Sequence, residues 1–173
     1  MTKHEILSYS FEELSEDAKK KAINNNYAIN VDYDWWKSTY DDAKNIGLKI
    51  TGFDLDRNRH ADGEFLLAAN EVAANIFKDH GESCETYKYA EKFISEWQPI
   101  FNEYMNENSE KYESAESESE LQVIEDDFLK SLLEDYSIML QKESEYLQSD
   151  EAIEDTLISN DCQFTEDGNR FNY

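Results

Sequence analysis

Carboxylates crowd the stretch DLDRNRHADGE, which begins at Asp54. Asp54, Asp56 and Glu64 offer hard oxygen ligands, so the chemistry that they could support is the binding of a divalent cation such as Mg²⁺. The pattern of a calcium loop fails, because Arg59 stands where that loop needs glycine and Phe65 stands where it needs glutamate. We therefore expect a solvated hairpin whose arginines pair with its carboxylates. A metal-dependent hydrolase or nuclease at Asp54, Asp56 and Glu64 is the alternative.

A thiol and an imidazole also lie close together in the sequence. Cys84 follows His80 by four residues, across Gly81, where a helix is expected to end. A thiol that passes its proton to an imidazole is the nucleophile of cysteine hydrolases. No HExxH, GxSxG or phosphate-loop motif accompanies this pair. A catalytic role of Cys84 and His80 is therefore left as an alternative to a structural role.

Negative charge is concentrated between residues 101 and 160, which hold 18 acidic residues and three lysines. In this run Leu121, Ile124, Phe128 and Leu132 recur at intervals of three and four, which indicates an amphipathic helix. Its apolar stripe would dock on the protein and hold the carboxylates outward on a rigid rod. Two such helices side by side would approach the charge density of a nucleic-acid strand, with one phosphate per ~3.4 Å. The alternative is solvated, mobile charge that only maintains solubility.

A partner is expected to meet this acidic surface through several carboxylates acting together. They are Glu118, Glu120, Glu125, Asp126, Asp127, Glu134 and Asp135. Trp35 is also a predicted contact with the partner. It neighbours Trp36, and because adjacent helical residues point about 100° apart, the two side chains rarely enter the same core. Trp36 follows the apolar stripe into the core, so Trp35 either covers the sheet or forms an exposed hot spot.

The whole chain is strongly acidic, since 40 acidic and 16 basic residues give a net charge of -24. Nucleic acids and anionic membranes attract lysine and arginine, so this charge argues against direct binding to either. It favours a basic protein partner, and we expect no cofactor. No apolar run approaches the ~18 residues of a membrane span, and the N-terminal residues lack a signal core. We therefore expect a cytoplasmic protein in which Cys84 and Cys162 are reduced.

The stretch HEILSYSF alternates weakly and is expected to form an edge strand. Turn-forming residues delimit the other predicted strands. LKITGFDLD follows Gly47 and has a bulge at Gly52, and GEFLL follows a turn at Asp62–Gly63. A C-terminal hairpin is expected in QFTEDGNRF, with its turn at Asp167–Gly168. The predicted fold class is α+β and dominated by helices, with one small antiparallel sheet covered by helices and long acidic amphipathic helices in the C-terminal half.

Capping residues predict the helix boundaries. Ser15, Asp32 and Ser83 are natural N-caps, and Gly47 fits a left-handed C-terminal stop. Pro99 is expected to kink or interrupt the helix that begins after Ser83.

The chain is predicted to form one compact domain with three parts. Residues 1–82 form an α+β body, residues 83–160 form the long acidic helices, and residues 161–173 form a hairpin that returns to the body. Within the second part, MNENSEKYESAESESE has few apolar residues and is expected to be flexible, and an amphipathic helix follows over residues 121–147.

Four stretches, FEELSEDAKKKAI, NVDYDWW, DDAKNIGLKITGFDLDR and QFTEDGNRF, resemble an uncharacterised family of small acidic proteins carried by phages, prophages and other mobile elements. The similar blocks cover residues 9–85 and the tail from Asp161, whereas RNRHADGEF, after Asp56, departs from the family pattern. The resemblance implies an accessory protein of a mobile element in the cytoplasm of a host bacterium. Small acidic proteins of that origin often inhibit host defence, as anti-CRISPR and anti-restriction proteins do.

These observations favour a non-enzymatic inhibitor that mimics nucleic acid. It would occupy the basic groove of a nucleic-acid-binding host protein, a defence effector such as a CRISPR nuclease. Besides the metal-dependent hydrolase, the alternative is an antitoxin-like oligomeric protein, in which the stripe of residues 121–147 pairs between subunits.

Overall fold

The computed structural model describes residues 7–105 and 115–171 of the chain. Within them the helices are α1 (Glu16–Asn25), α2 (Lys37–Ile46), α3 (Ala69–Asp79), α4 (Glu85–Tyr104), α5 (Ala115–Leu147) and α6 (Asp150–Ser159). The strands are β1 (Tyr9–Ser10), β2 (Leu48–Asp54), β3 (His60–Phe65) and β4 (Gln163–Phe164). The predicted α+β class, dominated by helices, is therefore confirmed.

Two sequence predictions fall partly on residues that the structure does not describe. The edge strand expected in HEILSYSF begins among residues 1–6, and of the described part Tyr9–Ser10 forms β1. The flexible stretch expected in MNENSEKYESAESESE spans residues 105–120, of which residues 106–114 lie outside the described ranges and residues 115–120 begin the helix α5.

The chain divides into two compact units, whose boundaries differ from the predicted 1–82, 83–160 and 161–173. Unit 1 comprises the residues up to Trp35 and those from Lys142 onward, and unit 2 comprises residues 36–141. The second boundary falls inside α5, near its C-terminal end.

Unit 1 is built from α1, α6, β1, β4 and a 3₁₀ turn at Phe11–Glu13. As predicted, Ser15 caps α1, because its Oγ accepts a hydrogen bond from the N–H of Ala18 at 3.3 Å. Ser149 caps α6 in the same way. Apolar side chains from these elements form one buried cluster, in which Phe11 meets Phe164 edge to face with ring centroids 6.1 Å apart.

The C-terminal hairpin turns at Asp167–Gly168 as predicted, with Gly168 at φ 82°. Its strand β4 pairs antiparallel with β1, and Tyr9 lies opposite Phe164. The prediction that this hairpin joins a single sheet with β2 and β3 was wrong, because the described strands form two separate two-stranded sheets. The side chain of Phe164 lies in the core of unit 1, and this burial explains why β4 pairs with β1.

Unit 2 contains the hairpin β2–β3, helices α2 to α4 and the longer part of α5. Gly47 ends α2 at φ 94°, and the pairing shifts register between Ile50 and Gly52, so the predicted stop and bulge are confirmed. The core of this unit combines apolar side chains from both strands and all four helices. Its most buried members are Ala43, Ile46, Leu48, Val72, Ala73, Ile76, Ala90, Leu132 and Tyr136.

The turn predicted at Asp62–Gly63 is wrong, because both residues lie inside β3 and the chain reverses between Asp54 and His60. Gly63 is needed for a close contact between the hairpin and α5, and not for a turn. A Cβ atom at this position would stand 2.5 Å from the carbonyl oxygen of Lys49 and 2.8 Å from Cδ2 of Leu133 on α5. Glycine therefore lets α5 pack directly on the hairpin.

Two helix starts lie later than predicted, and one expected break is absent. Helix α2 begins at Lys37 instead of after Asp32, and Cys84 instead of Ser83 stands at the N-cap of α4. Helix α4 continues through Pro99 to Tyr104. The rings of Trp97 and Phe101 stack across the proline with centroids 4.3 Å apart, and this packing favours the continuous helix.

None of the helices in the described ranges combines the length and the apolar character that a membrane crossing requires.

Candidate functional site

Helix α5 is the element that positions the predicted acidic surface. It has 33 residues and is therefore about 50 Å long. Phe128, Leu132, Tyr136 and Leu140 are buried at intervals of four, so the predicted amphipathic helix is confirmed. Since this stripe is already buried within the chain, it is not available to pair between subunits as the antitoxin-like alternative requires.

Four of the seven predicted carboxylates are exposed on the first half of α5. We call Glu118, Glu120, Asp126 and Asp127 the acidic patch. Glu118 accepts a hydrogen bond from the hydroxyl of Tyr104 at 3.1 Å, and Asp126 accepts one from Gln122 at 2.8 Å. Because both donors are neutral, these bonds orient the carboxylates without cancelling their charge.

Two further predicted carboxylates are engaged within unit 2. Glu125 is half-buried and accepts a hydrogen bond from the indole Nε1 of Trp97 at 3.0 Å. Glu134 forms an ion pair with Arg59 of the β2–β3 loop. Arg59 was expected to pair with the carboxylates of its own loop. It reaches α5 instead, and it also donates to Oε1 of Gln141 at 3.0 Å.

Asp135 is buried, so the prediction that it lies on the exposed acidic surface is wrong. Its Oδ2 accepts a hydrogen bond from the hydroxyl of Thr86 on α4 at 2.8 Å. The sequence contains a signal for this burial. Asp135 follows Phe128 by seven residues, two helical turns, and so lies on the same side of α5.

The two adjacent tryptophans do not divide into one buried and one exposed residue. Both Trp35 and Trp36 are half-buried. Trp36 packs edge to face against Phe53 of β2, with ring centroids 5.8 Å apart. Partial burial limits the surface that Trp35 can offer to a partner.

The hairpin does not assemble the alternative metal site. Asp54 lies opposite His60 at one end of the ladder, and Glu64 lies opposite Lys49 near the other end. Along a strand this separation exceeds about 10 Å, too far for one ion. Lys49 also pairs with Glu64 at 2.7 Å. No group of three or more metal-ligating side chains occurs among the described residues.

The loop carboxylates have local roles. Oδ1 of Asp54 accepts the backbone N–H of Asp56 at 2.8 Å, which stabilises the turn. A hydrogen bond from His60 to the carbonyl of Asn58, together with the carboxylates of Asp62 and Asp54, raises the pKa of His60.

A groove of about 340 Å³ lies between this hairpin and α5. Its apolar floor comes from Ala61, Leu129 and Leu133, and Asp126 of the acidic patch stands on its rim. Lys130 lines the same groove. The surface beside the acidic patch therefore contains an apolar depression of moderate size.

A second cluster joins residues from α2, the α3–α4 connection and α5. The hydroxyl of Tyr136 donates to Oδ2 of Asp42 at 2.8 Å. Oδ1 of Asp42 lies 3.6 Å from Nε2 of His80, and Nδ1 of His80 lies 4.0 Å from Sγ of Cys84. Burial, together with the carboxylate of Asp42, raises the pKa of Tyr136. The structure thus brings together Cys84 and His80, the pair that the sequence left open, and adds Asp42.

Sequence reasoning missed Asp42 and Tyr136 as members of this cluster. Asp42 stands 94 residues before Tyr136 in the sequence, and no local pattern connects them. The one available signal is the position of Asp42 on α2. It lies at the edge of the face whose buried positions are Thr39, Ala43 and Ile46.

Comparison with known proteins found no matching family model, no matching curated protein and no matching solved structure. The resemblance to proteins of phages and other mobile elements therefore stays a prediction.

Proposed function

We propose that this protein binds a cationic groove of a nucleic-acid-binding protein and blocks it, through the acidic patch on α5. The partner class that fits is a host defence effector such as a CRISPR nuclease in the bacterial cytoplasm. The observation that carries the proposal is the display of four exposed carboxylates on a single helix. No ion pair within the described residues reaches any of the four.

The spacing of the patch supports nucleic-acid mimicry. Ten helical residues from Glu118 to Asp127 extend about 15 Å, so the four charges average about one per 4 Å of axis. A nucleic-acid strand carries one phosphate per ~3.4 Å. Over these ten residues, α5 is therefore nearly as densely charged as a strand.

The arrangement around the helix also suits a groove. Glu120 and Asp127 are seven residues apart and point in nearly the same direction, and Asp126 points about 100° away. A flat partner surface would meet only part of this set, whereas a concave cationic surface can meet all of it.

The net charge of -24 supports fast, salt-sensitive association. Complementary charge steers diffusional encounter and raises the association rate constant, and salt screens that effect. Because the contributing carboxylates are exposed, no single one should dominate the affinity.

The test is competition for a purified CRISPR nuclease that holds labelled target DNA, repeated with several nuclease types at low and high salt. The wild-type protein should displace the DNA with at least one type, and less effectively at high salt. A variant with Glu118, Glu120, Asp126 and Asp127 changed to lysine should lose this effect.

A matched control changes four exposed carboxylates of unit 1 to lysine, and so alters the net charge by the same amount. These are Asp32, Asp34, Asp155 and Glu166. The control should retain competition. Equal loss in both variants, or full competition by the patch variant, would contradict the proposed role of the acidic patch.

A further inference from the structure

We propose that Cys84 is a nucleophilic thiol, activated by His80 and Asp42, which exchanges with small disulfides to form a mixed disulfide. This proposal is independent of the acidic patch and of the binding function proposed above. It depends on the geometry of three side chains that lie within unit 2.

The two nitrogens of His80 face different partners. Nδ1 lies 4.0 Å from Sγ of Cys84, and Nε2 lies 3.6 Å from Oδ1 of Asp42. A thiol, an imidazole and a carboxylate in this order form the arrangement in which a base takes the thiol proton and a third group orients the base. Distances of this size are common before a substrate binds, and they shorten when charge develops.

The imidazole is largely shielded from water. The side chain of His80 is only 11 % exposed, and its Nε2 is buried without a hydrogen-bond partner. A carboxylate oxygen of Asp42 lies 3.6 Å from this nitrogen, and Tyr136 donates a hydrogen bond of 2.8 Å to the same carboxylate. A protonated imidazole would strengthen its contact with Asp42, so the site favours transfer of the thiol proton to His80.

The backbone around Cys84 also favours negative charge on sulfur. Cys84 is the N-cap residue of the 20-residue helix α4, and its side chain makes no capping hydrogen bond. The first N–H groups of a helix have no intrahelical acceptor and carry a partial positive charge. A thiolate at this position is therefore stabilised by the start of α4.

Accessibility distinguishes the two cysteines. Cys84 is half-buried, whereas Cys162 is 6 % exposed and packs in the core of unit 1. The chain therefore contains its own internal control for a thiol without an activating base.

The chemistry balances without an additional oxidant. The proton of Cys84 passes to Nδ1 of His80, and Sγ attacks one sulfur of the disulfide. The Sγ–S bond forms as the S–S bond of the reagent breaks, and its electron pair leaves with the second sulfur. That thiolate takes the proton from His80 and departs as a thiol.

The charged and titratable groups near this thiol come from α2, α4, α5 and the connection between α3 and α4. They are His80 after α3, Asp42 on α2, Asp135 and Tyr136 on α5, and Lys88 and Glu85 on α4 itself. Tyr136 is protonated at ordinary pH, since burial and the carboxylate of Asp42 raise its pKa.

The test follows the reaction of the native protein with 4,4′-dithiodipyridine, a small uncharged disulfide whose released thiopyridone absorbs light. We expect a fast phase of one thiol and a slow phase that appears only on unfolding. Cys84→Ser should remove the fast phase, and Cys162→Ser should leave it unchanged.

His80→Gln and Asp42→Asn test the activating groups. Near pH 7 His80→Gln should lower the rate constant of the fast phase about tenfold or more, and Asp42→Asn should lower it less. Between about pH 6 and 8 the rate of the wild type should depend on pH less steeply than that of His80→Gln. If the role of Asp42 is purely structural, Asp42→Asn should leave the pH dependence of the fast rate as it is in the wild type.

Tyr136→Phe tests the positioning of Asp42, since it removes the hydrogen bond to that carboxylate and keeps the three reacting groups. If its circular dichroism is native, this variant should lose part of the fast rate, but less than His80→Gln loses. A fast phase that survives in Cys84→Ser, or an equal rate in the wild type and in a natively folded His80→Gln, would overturn the proposal.

Discussion

The hydroxyl of Tyr136 donates a hydrogen bond to Oδ2 of Asp42 at 2.8 Å and so connects α5 to α2 inside unit 2. Tyr136 is completely buried. Its burial and the neighbouring carboxylates of Asp42 and Asp135 raise the pKa of the phenol. The residue is therefore a permanent hydrogen-bond donor.

Tyr136→Phe should lower the free energy of unfolding by about 1–2 kcal/mol, because a buried donor to a charged acceptor is lost while the ring stays packed. Urea titration followed by tryptophan fluorescence measures the change. Tyr146→Phe, at an exposed position of α5, is the matched control and should have little effect. An equal effect of both changes would show that the bond to Asp42 adds no stability.

Thr86→Val should destabilise unit 2 by about 1–3 kcal/mol, because the buried carboxylate of Asp135 then loses its donor. Combining it with Asp135→Leu should restore part of the stability, since the unpaired charge is removed as well. A double-mutant cycle from denaturant titrations measures the coupling. Strictly additive effects would argue against the Thr86–Asp135 bond.

Gly168→Ala should destabilise unit 1 by about 2 kcal/mol or more. The residue has φ 82°, and a Cβ atom would stand 2.2 Å from the carbonyl oxygen of Ala18. Gly81→Ala is the control, because that position has no heavy atom near the added Cβ. Thermal unfolding followed by circular dichroism compares the two variants, and similar midpoints would contradict the predicted clash.

The carboxyl of Asp167 should titrate at about pH 2, because hydrogen bonds from Lys21 and Thr165 lower its pKa to about 2. Its contribution to stability is present above the pKa of an unfolded aspartate, about 3.9. That contribution is lost as the pH falls through about 2. Carbon-detected NMR of the side-chain carboxyl measures the midpoint directly.

Lys21→Met should move this midpoint upward, towards the ordinary value for aspartate, because the ion pair at 2.8 Å is removed. Lys20→Met removes the same charge from a neighbouring exposed position and should shift the midpoint much less. Equal shifts would show that general electrostatics, and not the contact with Lys21, lowers the pKa.

Local patterns predicted several elements correctly. The Ser15 cap, the stop at Gly47, the bulge at Gly52 and the stripe of α5 each depend on residues a few positions apart. Such features follow from backbone hydrogen bonding and helical periodicity, so they can be derived without knowing which elements pack together.

The wrong predictions share one cause. At each of these positions the structure depends on residues that are distant in the sequence. Gly63 resembles a turn residue in the sequence, but it is needed for contact with Leu133 of α5. Asp135 resembles its exposed acidic neighbours, but it is buried, and the hydroxyl of Thr86 on α4 donates a hydrogen bond to its carboxylate.

The α+β class, the helical periodicity and the acidic character of α5 can all be derived from the sequence, because these properties depend on composition and on neighbours within two helical turns. The exposure of each carboxylate and the meeting of Asp42, His80 and Cys84 depend instead on how distant elements pack. Burial of the common core brings α2 and α5 together with the connection between α3 and α4, and that packing sets the surroundings of each side chain.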